Sequence, residues 1–145
     1  MFKLLLIATD GSELAAKAVR GGLELAKSLG ARVVVLTATE PWLGMINADL
    51  NVVNFSIEEY EKATKEEAAR ILGKVRDEAL TLGVECETLH INGFPAEAII
   101  ETAKAKACDL IVMGSHGRRG IARLLLGSQA TKVVTLSSVP VLVWR

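Results

Sequence analysis

The feature that most constrains the fold is an alternation. Short apolar runs, too brief for helices, take turns with longer segments whose apolar residues recur at helical spacing. Residues 2–8, FKLLLIA, form a nearly continuous apolar run, as expected of a strand covered on both faces. Ser12 is placed to cap the next segment, where Ala15, Val19, Leu23, Ala26 and Leu29 share one stripe and Gly30 supplies the stop. Residues 32–38, RVVVLTA, read as the second strand. After an irregular stretch rich in Pro, Gly and Asn, Ser56 and Glu59 make a capping box. The helix behind it carries Ile57, Tyr60, Thr64, Ala68, Ile71, Val75, Ala79 and Leu82, and Gly83 ends it.

Glu85 and Glu87 interrupt the third run, residues 84–91, which marks it as a sheet edge. Pro95 suits the first position of a third helix carrying Ile99, Ala103 and Ala107. Residues 109–113 are the fourth strand. Gly127 and Ser128 open a last long helix with Val133, Val134 and Leu136, and residues 139–144 close the chain as the fifth strand. No repeat, linker or low-complexity tract divides residues 1–145, so a single domain is expected. The pattern predicts an α/β fold, an open, doubly wound, five-stranded parallel sheet with helices on both faces. It leaves the strand order open.

Acidic and basic residues balance at 17 each, which argues against a partner as charged as nucleic acid. The pair Arg118–Arg119 is too small for a basic patch, and nothing suggests a membrane surface. Cys86 and Cys108 stand far apart without clustered His, so neither a disulfide framework nor a zinc site follows. The first apolar run is too short for a signal or a membrane span, and a cytoplasmic protein is expected. Pro140 cannot donate to a ladder, so the last strand belongs at an edge. Its residues are apolar on both faces, and a bare apolar edge invites pairing. A homodimer through Val139, Val141 and Val143 is expected, with Trp144 at the same edge. The alternative is an edge covered by the chain's own loops.

Ligands of open α/β sheets bind beyond the carboxyl ends of the strands. There lie Asp10 after the first strand, Ala38, Thr39 and Glu40 at the end of the second, and Gly114-Ser-His-Gly-Arg-Arg after the fourth. Gly114 and Gly117 allow an inward-facing nest of amides that an anion can approach closely. Gly127 and Ser128 open a helix, whose N-terminus also favours an anion. Arg118 and Arg119 add charge. Nine residues between Gly117 and Gly127 can return the chain to the same crevice. The simpler reading is that these glycines only turn the chain and cap a helix. Asp10 likewise divides between a general base or Mg²⁺ holder and a turn cap. His116 divides between a phosphate contact and a solvated loop residue. His90 reads as a surface residue, and residues 58–70 as a solvated helix face. No Walker A sequence is present.

GSHGRRGIARLLLGS, residues 114–128, resembles the G-x-x-G-x9-G-[ST] motif of ATP-binding universal stress proteins. IATDGSELAAKAV resembles their first strand and turn, GFPAEAII the start of their third helix, and SVPVLVWR their closing strand. The resemblance implies strand order 3-2-1-4-5 in an adenine nucleotide alpha hydrolase-like fold, with a nucleotide between strands one and four and dimers paired through strand five. Carried over by position, Ala8 and Ala38 would meet adenine and Asp10 the ribose side. Gly114, Gly117 and Arg118 would hold phosphates from one side, with Ser115, His116 and Arg119 lining the same loop. Gly127, Ser128 and Gln129 would hold them from the other. Ala8 stands where many relatives carry Pro, Ala38 where Val is commoner, and Gln129 where a small apolar residue often follows the Ser. The expected function is a dimeric module that binds ATP with Mg²⁺ and reports nucleotide or stress state. The alternatives are a slow ATPase using Asp10 or His116, and a dimeric scaffold without nucleotide.

Overall fold

The structure is a computed structural model that describes residues 1–42, 56–117 and 125–145. In chain order its elements are β1 (Leu4–Ala8), α1 (Glu13–Leu29), β2 (Arg32–Thr39), α2 (Ile57–Leu82), β3 (Cys86–Asn92), α3 (Pro95–Ala105), β4 (Leu110–Gly114), α4 (Ser128–Leu136) and β5 (Val141–Trp144). All five strands join one parallel sheet in the order β3-β2-β1-β4-β5. Both interrupted strands, β3 with Glu87 and β5 behind Pro140, lie at the edges. No described helix is long and apolar enough to cross a membrane.

The period of two along each strand divides the core. Leu5, Ile7, Val33, Val35, Leu110 and Val112 face α1 and α2, where Val19, Leu23, Val75 and Ala79 meet them. Leu6, Val34, Leu36, Ile111 and Met113 face the opposite way, onto Ala96, Ile99 and Ala103 of α3 and Ala130 and Val133 of α4. Leu5, Leu6, Ile7 and Ile111 are wholly buried, and each such side chain contributes about 1.5–3 kcal/mol of burial free energy. Because α1 covers one face and α4 the other, the chain leaves neighbouring β1 and β4 in opposite directions. In open α/β sheets, that switch point at the carboxyl ends of the strands is where ligands bind.

The caps follow the sequence pattern. Ser12 accepts the Ala15 N–H, and Gly30 ends α1 in the left-handed region at φ 64°. Ser56 and Glu59 form the reciprocal box that starts α2, and Gly83 ends it. Pro95 is the first residue of α3.

Several boundaries move. Strand β1 begins at Leu4 because the Asp109 carboxylate takes the N–H groups of Lys3 and Leu4, at 2.8 and 3.2 Å. Helix α3 stops at Ala105, short of Ala107, which adopts φ 54° so that the Cys108 N–H can reach the Ala103 carbonyl at 2.9 Å. No glycine marks that stop, so the sequence hides it. The last helix is short, with 9 residues, and buries Ala130 and Val133 while Val134 and Leu136 stay exposed. Ile57 is also exposed. Val139 and Pro140 precede β5, and the Pro140 carbonyl still accepts the Ile111 N–H at 2.9 Å. The indole of Trp144 lies on α1 at Gly21, where a Cβ would fall inside its ring contacts. Its ring therefore packs on its own chain.

Candidate functional site

The β1–α1 turn is built from its own side chains. The Thr9 N–H extends the sheet to the Leu36 carbonyl at 2.9 Å, and Thr9 Oγ1 accepts the Gly11 N–H at 3.2 Å. Asp10 Oδ1 accepts the Ser12 N–H at 2.9 Å. Asp10 thus holds the turn, as its capping reading expected, and its other oxygen is turned toward Gly117. A Cβ on Gly117 would stand 2.8 Å from Asp10 Oδ2, so the carboxylate would have to turn aside for any larger residue there.

The β4 turn and the start of α4 are joined in the same place. The Gly127 N–H donates to the Ser115 carbonyl at 2.7 Å, and the Ser115 N–H donates to the Trp144 carbonyl at 2.7 Å. Ser115 is buried, and its backbone ties the end of β5, the β4 turn and α4 together. A Cβ on Gly127 would lie 3.1 Å from the Ser115 oxygen and 3.4 Å from His116 Cα. Gly127 therefore serves by closeness, since its own N–H is already spent. The donors left at this helix start are the N–H groups of Ser128, Gln129 and Ala130, which precede the first helical bond from Thr131 to Gly127. With the helix dipole, roughly half a positive charge, they form an anion-binding end.

His116 adds an unsatisfied group. Its Nδ1 lies 3.0 Å from Ser115 Oγ, while its Nε2 is buried and has no hydrogen-bond partner among the described residues. A buried polar atom in that state costs about 1–3 kcal/mol, a cost that a bound oxygen would relieve. Ala8 and Ala38 pack with Leu36 on the α3–α4 face of the sheet, the face from which α4 starts. The N–H donors at the start of α4 and the His116 Nε2, which has no partner among the described residues, are groups that could take the oxygens of a phosphate chain. Among the described residues, no three His, Cys, Asp or Glu gather as a metal site.

The sequence-expected residues thus separate. Asp10, Gly114, Ser115, His116, Gly117, Gly127 and Ser128 come together where β1, β4 and α4 meet, with Ala8 and Ala38 on the α3–α4 face of the sheet. Gln129 has its backbone in the first turn of α4, but its side chain is engaged elsewhere: Oε1 accepts the Ala96 N–H of α3 at 3.1 Å. Arg118 and Arg119 lie outside the described residues, as does the loop from Trp42 to Phe55 beyond Trp42 itself. Trp42 meets the Tyr60 ring edge-on at 5.1 Å, and the Tyr60 hydroxyl donates to the Glu40 carbonyl at 2.6 Å.

Sequence reasoning missed three features. His90 is half-buried, with Nε2 2.8 Å from Thr39 Oγ1. Burial, with Lys65 nearby, holds its imidazole below the usual histidine range. Thr9 orders the first turn. The Gln129 cap on α3 was signalled only indirectly, by a Pro95 start preceded by Phe94, which has no capping side chain.

The family model described as the universal stress protein family matches residues 1–145. The universal stress protein YxiE of Bacillus subtilis is 36% identical over 148 residues, covering 100% of both chains. The universal stress protein MJ0577 of Methanocaldococcus jannaschii is 31% identical, covering 99% of this chain and 94% of the relative. The solved structure of MJ0577 superposes with a TM-score of 0.85 at 27% identity, covering 99% of this chain and 96% of that one. A universal stress protein solved in complex with cAMP superposes with a TM-score of 0.72 at 26% identity, covering 98% and 95%. The chain belongs to the universal stress protein family.

Proposed function

We propose that this chain is a nucleotide-binding module that takes ATP, with Mg²⁺ carried by the phosphates, and changes shape or partner with occupancy. The phosphates lie between the Gly114–Gly117 turn and the first N–H groups of α4. Asp10 faces the ribose side and Ala8 and Ala38 the base. The observation that carries the reading is the 2.7 Å bond from the Gly127 N–H to the Ser115 carbonyl, which brings two turns far apart in sequence into one wall. The cAMP complex of a structural neighbour supports an adenine nucleotide as the ligand class. Arg118 and Arg119 belong to the same proposal as cationic partners of the phosphates.

The module works as a homodimer in the cytoplasm. The position of β5 at the sheet edge, with no strand beyond it among the described residues, supports the first part, and two free thiols, Cys86 and Cys108, suit a reducing compartment. Binding rather than turnover is the favoured activity, because Asp10 Oδ1 is already committed to the Ser12 N–H. The buried, unpartnered Nε2 of His116 favours slow hydrolysis as the second reading.

The test is direct. Protein purified without added nucleotide is denatured, and the supernatant is resolved for ATP, ADP and AMP; the apo protein is then titrated with ATP. Bound adenine nucleotide, or saturable uptake, is expected. Neither would leave a scaffold without nucleotide. ADP appearing well above background, and lost in His116→Gln, would make the chain an ATPase.

A further inference from the structure

Helices α3 and α4 lie side by side and start at the same end of the sheet. Their contact is apolar below, through Ala96, Ile99, Ala130 and Val133. Above, it is polar, through the Gln129 bond to Ala96, with Lys132 and Glu97 4.0 Å apart beside it. The start of α3 has few donors to satisfy. Pro95 has no N–H, and Phe94 at the cap position offers no side-chain acceptor. The Ala96 N–H, on a residue 1% exposed, is satisfied from another helix, by Gln129 Oε1 at 3.1 Å. The same residue supplies a backbone N–H to the anion-binding turn of α4. One residue therefore faces the phosphate site with its main chain and caps a second helix with its side chain.

We infer that Gln129 is a positioning residue that links polyanion occupancy at the start of α4 to the β3–α3 corner at residues 92–95. The inference rests on the nucleotide reading above. A polyanion that engages the Gln129 N–H fixes the backbone from which its side chain springs. The Oε1 bond to Ala96 then opens less often, and the corner is held more tightly. That corner carries Phe94, 51% exposed, so the nucleotide state is presented on the surface beside an apolar ring. By linkage, holding the corner strengthens polyanion binding by the same factor.

The Ala96 amide reports the link alone, because its partner is the Gln129 side chain and not the helical ladder. Exchange of this amide is measured by NMR in the wild type, with and without saturating ATP, alongside calorimetric titration. ATP is expected to slow Ala96 exchange by roughly fivefold or more beyond the change at the sheet-core amides. In Gln129→Met, which keeps the length but lacks the acceptor, Ala96 exchange should be fast and indifferent to ATP. In Gln129→Glu the acceptor remains, so the ATP response at Ala96 should persist at saturation even though the added charge weakens affinity. ATP binding to the wild type without any selective effect at Ala96 overturns the link and leaves the nucleotide reading standing. No binding at all overturns both. Should Gln129→Met fail to fold, the wild-type comparison decides by itself.

Discussion

Gly127 shows how little room a single residue has at this site. Its N–H is taken by Ser115, so a substitution acts through the missing Cβ alone. That atom would press on the Ser115 carbonyl at 3.1 Å, and backbone on both sides has little freedom to yield. Gly127→Ala should therefore weaken ATP binding by about tenfold, the effect of 1.4 kcal/mol, and Gly127→Val should abolish it. Both should keep a cooperative melt, with overpacking costing about 1–3 kcal/mol. Unchanged affinity by calorimetry in Gly127→Val would remove these turns from the binding site. His90 makes a second residue-scale case. Its pKa is lowered in the fold, so the unfolded chain binds the proton more readily. The stability this neutral imidazole contributes is present above the ordinary histidine value and is lost as pH falls through its lower folded value. Urea melts at pH 7.5 and 5.5 should show a smaller acid loss in His90→Gln than in the wild type. An equal loss would mean that other groups set the acid limb. The thiols behave in the opposite sense: burial raises both Cys86 and Cys108, and Cys108, 5% exposed, should resist alkylation until the chain unfolds.

Elements reveal which effects win when local preference and packing disagree. Gly21 sits inside α1, where Ala would ordinarily stabilise the helix by about 1 kcal/mol. Here the added Cβ would enter the Trp144 indole, and overpacking of that kind costs about 1–3 kcal/mol. Gly21→Ala should thus lose stability rather than gain it, and its tryptophan emission should move to the red as the ring is pushed outward. A more stable variant with unchanged emission would show that β5 does not depend on this seat. Legibility in the sequence follows the same division. Strand and helix identities, the Ser12 and Ser56 caps, and both sheet edges were readable because each rests on local chemistry: periodicity, a hydroxyl before a helix, a Pro or charge in a strand. The strand order came from the resemblance, since apolar runs carry no label for their neighbours. What stayed hidden depends on distant partners. Ala107 takes a left-handed turn without being glycine, Asp109 shortens β1 from across the sheet, and Gln129 caps a helix 33 positions away. At the site, the glycine spacing was visible, whereas the spent N–H of Gly127 and the orphaned Nε2 of His116 required coordinates.

At the scale of the whole molecule, the open edge of β5 bears on the site because both meet at Ser115. Its N–H holds the Trp144 carbonyl at the strand's end, and its carbonyl holds Gly127. A partner that orders β5 would therefore steady, from behind, the turns proposed to hold phosphate. Backbone groups alternate along a strand, and the Pro140 and Trp144 carbonyls both point to β4. The N–H and C=O groups of Val141 and Val143 then point outward, toward the space a second copy would fill. Exposed Val134 and Leu136 on α4 extend the apolar surface. Val143→Pro is the selective test. It deletes one outward donor, at a position where an edge strand tolerates proline, and leaves the β4 ladder intact. Sedimentation across a range of concentrations should show a dimer for the wild type and a shift toward monomer for Val143→Pro. ATP affinity should fall in step with dissociation, because the Trp144 end of the strand loses its support. A monomeric wild type would sink the dimer, and a monomeric Val143→Pro with full ATP affinity would separate assembly from the site.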